Sequence, residues 1–180
     1  MATPPNFTTG QVLTAAQMNA AGLWLTASTT LTGQTTASIT NCFSADYENY
    51  LFVYNFRTAT GSASLQVQLA SNGTPNATAG SYLLGGRYVG YPTVGAADFN
   101  AATTFWAASF AVNFTNNGTM TLARPFNAEY TSFTGGFSSY NAAATFGGYH
   151  NQAVSYNGLY LSNNSANAMY GTFSVYGMKK

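Results

Sequence analysis

Charged residues are scarce in this 180-residue chain. Lys and Arg together number five and Asp and Glu four, so that charged residues make up 5% of the sequence, against about 25% in ordinary soluble proteins. The basic residues are scattered and form no stripe that could follow a phosphate backbone, which argues against nucleic-acid binding. A formal net charge of +1 gives little solubility through repulsion and is typical of a protein that works inside an assembly. An ordinary monomer with neutral polar faces is the alternative.

Titratable side chains are too few to suggest an active site. The four carboxylates are Asp46, Glu48, Asp98 and Glu129. Asp46 and Glu48 precede a predicted strand, where a turn role is favoured over the paired acids of glycoside cleavage. His150 is the only histidine, and a metal site built on it would need distant carboxylates or Cys42. GxSxG, Walker and GxGxxG motifs are absent. We therefore predict a protein that is not an enzyme and has no cofactor or metal.

Membrane and export signals are also missing. No apolar run approaches the length of a membrane span. The N-terminal residues MATPPNFTTG lack the basic start, apolar middle and cleavage site of a signal peptide. The single cysteine, Cys42, cannot form an internal disulfide. We expect synthesis in a cytoplasm and no membrane insertion.

Aromatic residues are abundant, with 13 Tyr and 13 Phe, and the segment from 43 to 69 is the strongest strand signal. From position 50 to position 56 every second residue is aromatic, and these residues are expected on one face of a strand. They are Tyr50, Phe52, Tyr54 and Phe56. Leu51 and Val53 lie on the other face, so we expect packing on both sides, by an opposite sheet and by a neighbouring copy. A second strand alternates Leu65, Val67 and Leu69 with glutamines. We predict that the two strands pair as the nucleus of a sheet.

Further short strands and turn residues recur without βαβ alternation, which predicts an all-β, jelly-roll-like antiparallel β-sandwich. The predicted strands lie near 35–41, 50–57, 64–70, 81–89, 104–115, 119–124, 144–150, 153–161 and 168–177. The tripeptide from Asn116 to Gly118 is predicted as a hairpin turn because Asn and Gly tolerate positive φ. Segments 71–80, 90–103 and 126–143 are predicted as long loops.

Residues 1–27 differ from the rest and are predicted to form an attachment arm with a short helix, leaving 28–180 as the β-sandwich head. Thr14 is a plausible N-cap for a helix from Ala15 to about Leu25, and a Ser/Thr-rich link follows to Gln34. The arm carries more apolar surface than so short a segment can bury alone. Its predicted attachment or oligomer contacts are Phe7, Val12, Leu13, Met18, Leu23, Trp24 and Leu25.

Three segments resemble parts of bacteriophage virion proteins. The N-terminal FTTGQVLTAAQMNAAGLWL resembles a segment that recurs near the start of tail-fibre and minor structural proteins. FSADYENYLFVYNFR and GTFSVYGMKK resemble the β-rich domain that often follows it. The resemblance implies a virion protein that forms a homotrimer with a jelly-roll-like head, whose partners are its own copies and other phage virion proteins. The sequence has no long shaft between motif and head, which favours a short knob fixed on the particle.

Host attachment by such a head would use Tyr and Asn side chains in loops, which bind sugars through stacking and amide hydrogen bonds. The candidates for contact with a host surface glycan or protein, chosen by predicted loop position, are Tyr88, Tyr91, Asp98, Asn100, Tyr130, Tyr140 and Asn141. Any of them could instead be a trimer contact. Three alternatives stay open: a capsid decoration protein that stabilises the shell, a small glycan-degrading enzyme, and a lectin-like domain.

Arginines form a last group of interest. Arg57, Arg87 and Arg124 each lie in a strand-like stretch beside aromatic residues. A guanidinium in such a place stacks on a ring or pairs with a carboxylate. The favoured interpretation is an edge arginine with its stem packed and its head in water.

Overall fold

The computed structural model describes residues 9–10, 22–59, 63–90, 95–109, 115–140 and 142–178, with the backbone alone for 95–97, 99 and 100. Within these ranges the chain forms thirteen β-strands and no helix, so the predicted all-β class is confirmed. The strands are β1 Leu23–Gln34, β2 Ala37–Ile39, β3 Asn49–Thr58, β4 Leu65–Ser71, β5 Thr74–Pro75, β6 Tyr82–Gly90, β7 Gly95–Thr103, β8 Trp106–Ala107, β9 Asn116–Ala123, β10 Thr131–Ser138, β11 Ala142–His150, β12 Gly158–Asn163 and β13 Met169–Met178. No helix in this part of the chain could cross a membrane.

The strands of the described residues build two antiparallel sheets. The larger sheet has the order β1-β13-β3-β9-β10-β11-β6-β7, and the smaller sheet has the order β2-β12-β4-β5 with β8 also paired to β4. The sets β1-β13-β3-β9 and β2-β12-β4-β8 together have the strand order of a jelly roll, in which consecutive strands alternate between two sheets. The hairpins β6–β7 and β10–β11 extend the larger sheet beyond β9. The predicted antiparallel sandwich is therefore confirmed.

Strands β3 and β4 bury their apolar faces as their alternation predicts. All four aromatic residues of β3 from Tyr50 to Phe56 are buried, and so are Leu65, Val67 and Leu69 of β4. The expected pairing of the two strands was wrong, because β3 pairs with β13 and β9 whereas β4 pairs with β12. In a jelly roll the two strands lie in opposite sheets, so each buries its apolar face in the shared core between them.

The predicted hairpin turn at Asn116 to Gly118 was also wrong. These residues begin β9, and Gly118 pairs with Tyr54 of β3 and Phe137 of β10. A Cβ at Gly118 would lie 2.1 Å from the Tyr54 hydroxyl oxygen, and that hydroxyl donates to the carbonyl of Ala108. The glycine is required by the close approach of a buried tyrosine, since no residue with a side chain would fit beside it.

The end of the predicted helix was wrong, because the described chain is already strand at Leu23. Leu23 and Leu25, placed at the helix end, lie in β1, where they pair with Met178 and Tyr176. The predicted link to Gln34 is strand as well. Pairing with β13 and the β-branched threonines of this stretch outweigh the local preference for helix. Residues 15–21 lie outside the described residues, and β1 itself crosses the predicted boundary at residue 27.

All three predicted loops contain strands. The segment 71–80 includes β5, the segment 90–103 includes β7, and the segment 126–143 includes β10. Conversely, the predicted strand 104–115 contains only the two residues of β8 among those described, and β12 begins at Gly158 rather than near 153. Gly, Ala and Ser are weak strand formers, and the neighbouring strands supply the hydrogen bonds that hold such segments in the sheet.

Candidate ligand-binding face

The outward side of the larger sheet, here called the outer face, is rich in hydroxyl and amide side chains. Side chains alternate across a strand, so the register places paired residues of neighbouring strands in rows on this face. One row runs Thr172, Asn55, Asn117, Ser138 and Ala143. The next row runs Ser174, Val53, Thr119, Gly136 and Thr145.

An open depression of about 700 Å³ lies over these two rows. That volume falls within the range of small-molecule sites, about 300–1,000 Å³. Gly136 presents no side chain there, and the lining combines the hydroxyl and amide residues of the two rows with Val53, Ala143 and Tyr176. None of the described residues that line it carries a charge. The depression is therefore suited to a neutral ligand that has apolar surface as well as groups that form hydrogen bonds.

Its polar side chains are ordered by contacts across strands. Asn55 Nδ2 donates to Asn117 Oδ1 at 2.8 Å, and the hydroxyl oxygens of Ser28 and Ser174 lie 3.0 Å apart. An asparagine has two amide donors and an oxygen with two lone pairs, so the exposed Asn55–Asn117 pair retains capacity for a ligand. Because the groups sit on strands rather than loops, their positions are fixed by the sheet.

The three arginines all have specific partners, and two of them flank the depression, since Arg87 pairs with Thr145 in the register and Arg57 is the next outward residue after Asn55. The Arg57 guanidinium carbon lies 4.4 Å from the centre of the Tyr170 ring. Arg87 Nη1 lies 3.6 Å from Asp98 Oδ1, and Arg124 Nη1 lies 2.9 Å from Glu129 Oε2. Both ion pairs are exposed and contribute little to stability. They neutralise two of the few carboxylates and leave the depression itself uncharged.

The five predicted host-contact residues that the structure describes are spread over β6, β7 and the two ends of β10. Asp98 and Asn100 lie in β7, so their placement in a loop was wrong, whereas Tyr88 lies in β6, within the predicted strand 81–89. Tyr140 lies in the turn between β10 and β11, and Tyr130 precedes β10 at the other end of the same strand. Tyr91 and Asn141 lie outside the described residues.

Two of the three predicted attachment residues that the structure describes, Leu23 and Leu25, belong to an apolar corner, defined here as Leu23, Leu25, Leu51, Tyr176 and Met178. Leu23 and Leu25 are 51% and 58% exposed, and the register places all five on the outer face where β1, β13 and β3 meet. Trp24 points the other way, with its ring 6.4 Å from that of Tyr47. Phe7, Val12, Leu13 and Met18 lie outside the described residues.

His150 lies in the core and not on the outer face. It is fully buried, with ring centroids 4.3 Å from Tyr82 and 5.4 Å from Tyr156. Neither ring nitrogen has a hydrogen bond of normal geometry within the described chain. Burial lowers the pKa of His150 to about 4, an effect that the backbone at Gln152 offsets only in part. The imidazole is therefore neutral at pH 7.

Cys42 is likewise inaccessible. Its thiol donates to the carbonyl of Ile39 at 3.4 Å, and burial raises its pKa to about 12. Among the described residues no group of three His, Cys, Asp or Glu side chains is placed to hold a metal ion.

Sequence reasoning missed the depression because it placed Asn117 in a turn and Gly136, Ser138 and Ala143 in a loop, which left the middle of the two rows unassigned. A signal was nevertheless present in β10, where Ser132, Thr134 and Ser138 alternate with the buried Phe133 and Phe137. That alternation predicts a strand with one wet face, although Gly135 and Gly136 obscure it.

The chain was compared with protein-family models and with curated proteins. No protein-family model matches the chain, and no curated protein matches it.

Proposed function

We propose that this chain is a non-enzymatic structural protein of a bacteriophage virion, a short homotrimeric knob whose β-sandwich head exposes its outer face to the host surface. The observation that carries the proposal is the uncharged depression lined by Asn55, Asn117, Thr119, Ser138 and Thr145. A concave site with a few placed polar groups is the form that ligand sites take. The resemblance of the N-terminal segment to phage virion proteins supports the setting.

The N-terminal segment anchors the head to the particle in this proposal. The chain enters β1 at the apolar corner, where Leu23 and Leu25 are exposed. Exposed apolar patches mark interaction surfaces, and burial contributes about 25 cal/mol per Å² of apolar area. The corner would therefore be covered by the N-terminal segment, by a second copy or by another virion protein.

The nature of the outer face also supports a binding rather than a catalytic role. Asp98 and Glu129 are each exposed and paired with a different arginine, and His150 is enclosed by aromatic rings. Catalysis by general acid and base needs such groups to converge on one substrate. The depression instead offers hydroxyl and amide groups.

Deletion of residues 1–21 tests the anchor without removing any residue of β1. We expect the shortened head to fold and to be missing from purified particles, whereas the full chain is incorporated. Normal incorporation of the shortened head would overturn the anchor role. For the attachment role, excess full-length protein should block adsorption of particles to host cells, and undiminished adsorption would contradict it.

A capsid decoration protein is the second candidate. The apolar corner favours it, because exposed apolar side chains beside an uncharged face suit contact with a capsid shell. In that case particles that lack the protein would leak or break more readily on heating or chelation, and adsorption would be unchanged. The two measurements on the same particles separate the two roles.

A further inference from the structure

A pair of exposed tyrosines extends the outer face beyond the depression. Tyr149 lies on β11, and Tyr130 lies just before β10. Their ring centroids are 6.3 Å apart with an angle of 21° between the planes, and the side chains are 41% and 61% exposed. Two nearly parallel rings at this distance are offset, so each keeps ring surface open to solvent.

The tyrosine pair is in line with the depression. Thr145, which lines the depression, and Tyr149 both project outward from β11, four residues or about 13 Å apart along the strand. Between them the register places Thr134, Gly147 and Gly85 side by side across β10, β11 and β6. The absence of side chains at the two glycines leaves a low path from the depression to the rings.

Gly147 is not required by packing in the way that Gly118 is. An added Cβ at Gly147 would meet its nearest atom, the Phe133 carbonyl oxygen, at 3.3 Å, a contact that a small shift relieves. Its φ is not in the positive range that favours glycine. A residue with a side chain would thus fit there with modest adjustment, and glycine keeps the path clear.

From this arrangement we infer that the outer face binds a neutral oligosaccharide, laid along β11 with one sugar ring on the Tyr149–Tyr130 pair and the next sugars over the depression. A sugar presents an apolar C–H face that packs on an aromatic ring and hydroxyl groups that pair with amides and hydroxyls. Tyrosine supplies such a contact at low entropic cost. The inference rests on the proposed function and names the ligand class of its binding face.

The charges of the face favour this ligand over the other occupants. A nucleic acid would stack on the tyrosines but needs basic groups along its backbone, and beside the uncharged lining of the depression the face has two, Arg57 over a tyrosine ring and Arg87 paired with Asp98. An acidic polysaccharide would need the same. A second copy of the chain would bury an apolar core at its contact, and on the outer face the exposed leucines of the apolar corner offer one, next to the depression at Tyr176.

The test is binding of the full-length protein to immobilised oligosaccharides that cover neutral hexose and N-acetylhexosamine linkages, with sialylated and uronic-acid members for comparison. We expect binding to at least one neutral member and none that depends on acidic groups. Tyr149→Ala should weaken that binding about tenfold, the loss expected for one stacked ring, and Tyr149→Phe should restore most of it.

Tyr160→Ala is the matched control, because Tyr160 is half-buried on β12 between the buried Leu159 and Leu161 and so lies on the opposite side of the sandwich. It should bind as the unaltered protein does, and thermal unfolding should show that all three variants are folded. Failure of every neutral member to bind at millimolar concentration, or equal loss in the Tyr160 and Tyr149 variants, would overturn the inference. If Tyr149→Ala changes the molar mass of the protein in light scattering but has no effect on saccharide binding, the face binds a second copy, and this result would also overturn the inference.

The failure of this inference is distinct from failure of the proposed function. Absence of saccharide binding by a protein that is present in purified particles would remove the subsite alone. Absence of the protein from particles would remove the proposed function, whatever the protein binds.

Discussion

His150 and Tyr82 pack ring against ring inside the sandwich, with centroids 4.3 Å apart. They are partners in the β11–β6 pairing, and Trp106 and Tyr156 close the remaining sides. Burial raises the pKa of both tyrosines, so no described neighbour of the imidazole in this ring cluster is charged at neutral pH. The core of the head thus holds a histidine whose neutral form is favoured by its surroundings.

Stability should therefore fall in acid. The pKa of His150 is about 4 in the folded protein against 6.5 for an ordinary histidine, so the unfolded chain binds the extra proton between these values. The contribution of His150 to the free energy of unfolding is fully present above about pH 6.5. It is lost as the pH falls to about 4, and the total loss is about 3 kcal/mol. Chemical denaturation at a series of pH values measures it. His150→Phe, which removes polar atoms without hydrogen bonds, should lose this dependence. An equal slope in both proteins would contradict the account.

Gly118→Ala should be strongly destabilising, by about 3 kcal/mol or more. The added methyl group would displace Tyr54, which lies 2.1 Å from the Cβ position, and break the hydrogen bond from its hydroxyl to Ala108. Denaturant unfolding of Gly118→Ala and of the control Gly147→Ala measures the effect. The control should lose about 1 kcal/mol or less, since its nearest contact is 3.3 Å. Similar losses in both variants would show that the tyrosine does not demand the glycine.

Leu25→Lys should weaken self-association or attachment at the apolar corner. Leu25 is 58% exposed, and burying a leucine contributes about 1.5–3 kcal/mol, so the dissociation constant should rise about tenfold or more. Light scattering across a dilution series measures the change in mass. Val154→Lys is the control, because Val154 is 44% exposed away from the corner. A mass that is the same for both variants and the unaltered protein would exclude Leu25 from the contact.

Cys42 should react slowly with thiol reagents in the folded protein. Its pKa of about 12 leaves about one thiol in ten thousand ionised at pH 8, and the thiolate is the reactive form. Because the chain has one cysteine, the extent of reaction with the thiol reagent reports on a single site. We expect complete reaction in denaturant and almost none without it over the same period. Rapid labelling of the folded protein would mean that the segment around Ile39 opens readily.

Asp98→Asn and Glu129→Gln test the enzyme alternative. We expect no release of reducing sugar from host polysaccharide by the unaltered protein or by either variant, because each carboxylate is exposed and held by its own arginine. Sugar release by the unaltered protein that one of these changes abolishes would make the chain a glycan-degrading enzyme.

The fold was predictable where strand periodicity was strong. The alternation in β3 and β4 predicts both strands and their buried faces, and the lack of βαβ alternation predicts the sandwich. The pairing was not predictable, because Asn55 and Asn117 are 62 positions apart in sequence and meet only through jelly-roll topology. At Leu23 and Leu25 the local sequence favours a helix, but these residues form a strand because they pair with β13.

The candidate site was less predictable than the fold. Tyr130 was singled out from sequence, but its partner Tyr149 was not, because the two meet through the β10–β11 pairing. The rows of the depression draw on five strands, of which β10 was taken for a loop.

Electron cryomicroscopy of the intact particle tests the central proposal most directly. The account predicts threefold knobs into which the sandwich fits, with the start of β1 directed at the particle and the depression between Asn55 and Thr145 open to the outside. Particles without any copy of the chain, or knobs with that depression buried against the shell, would contradict it.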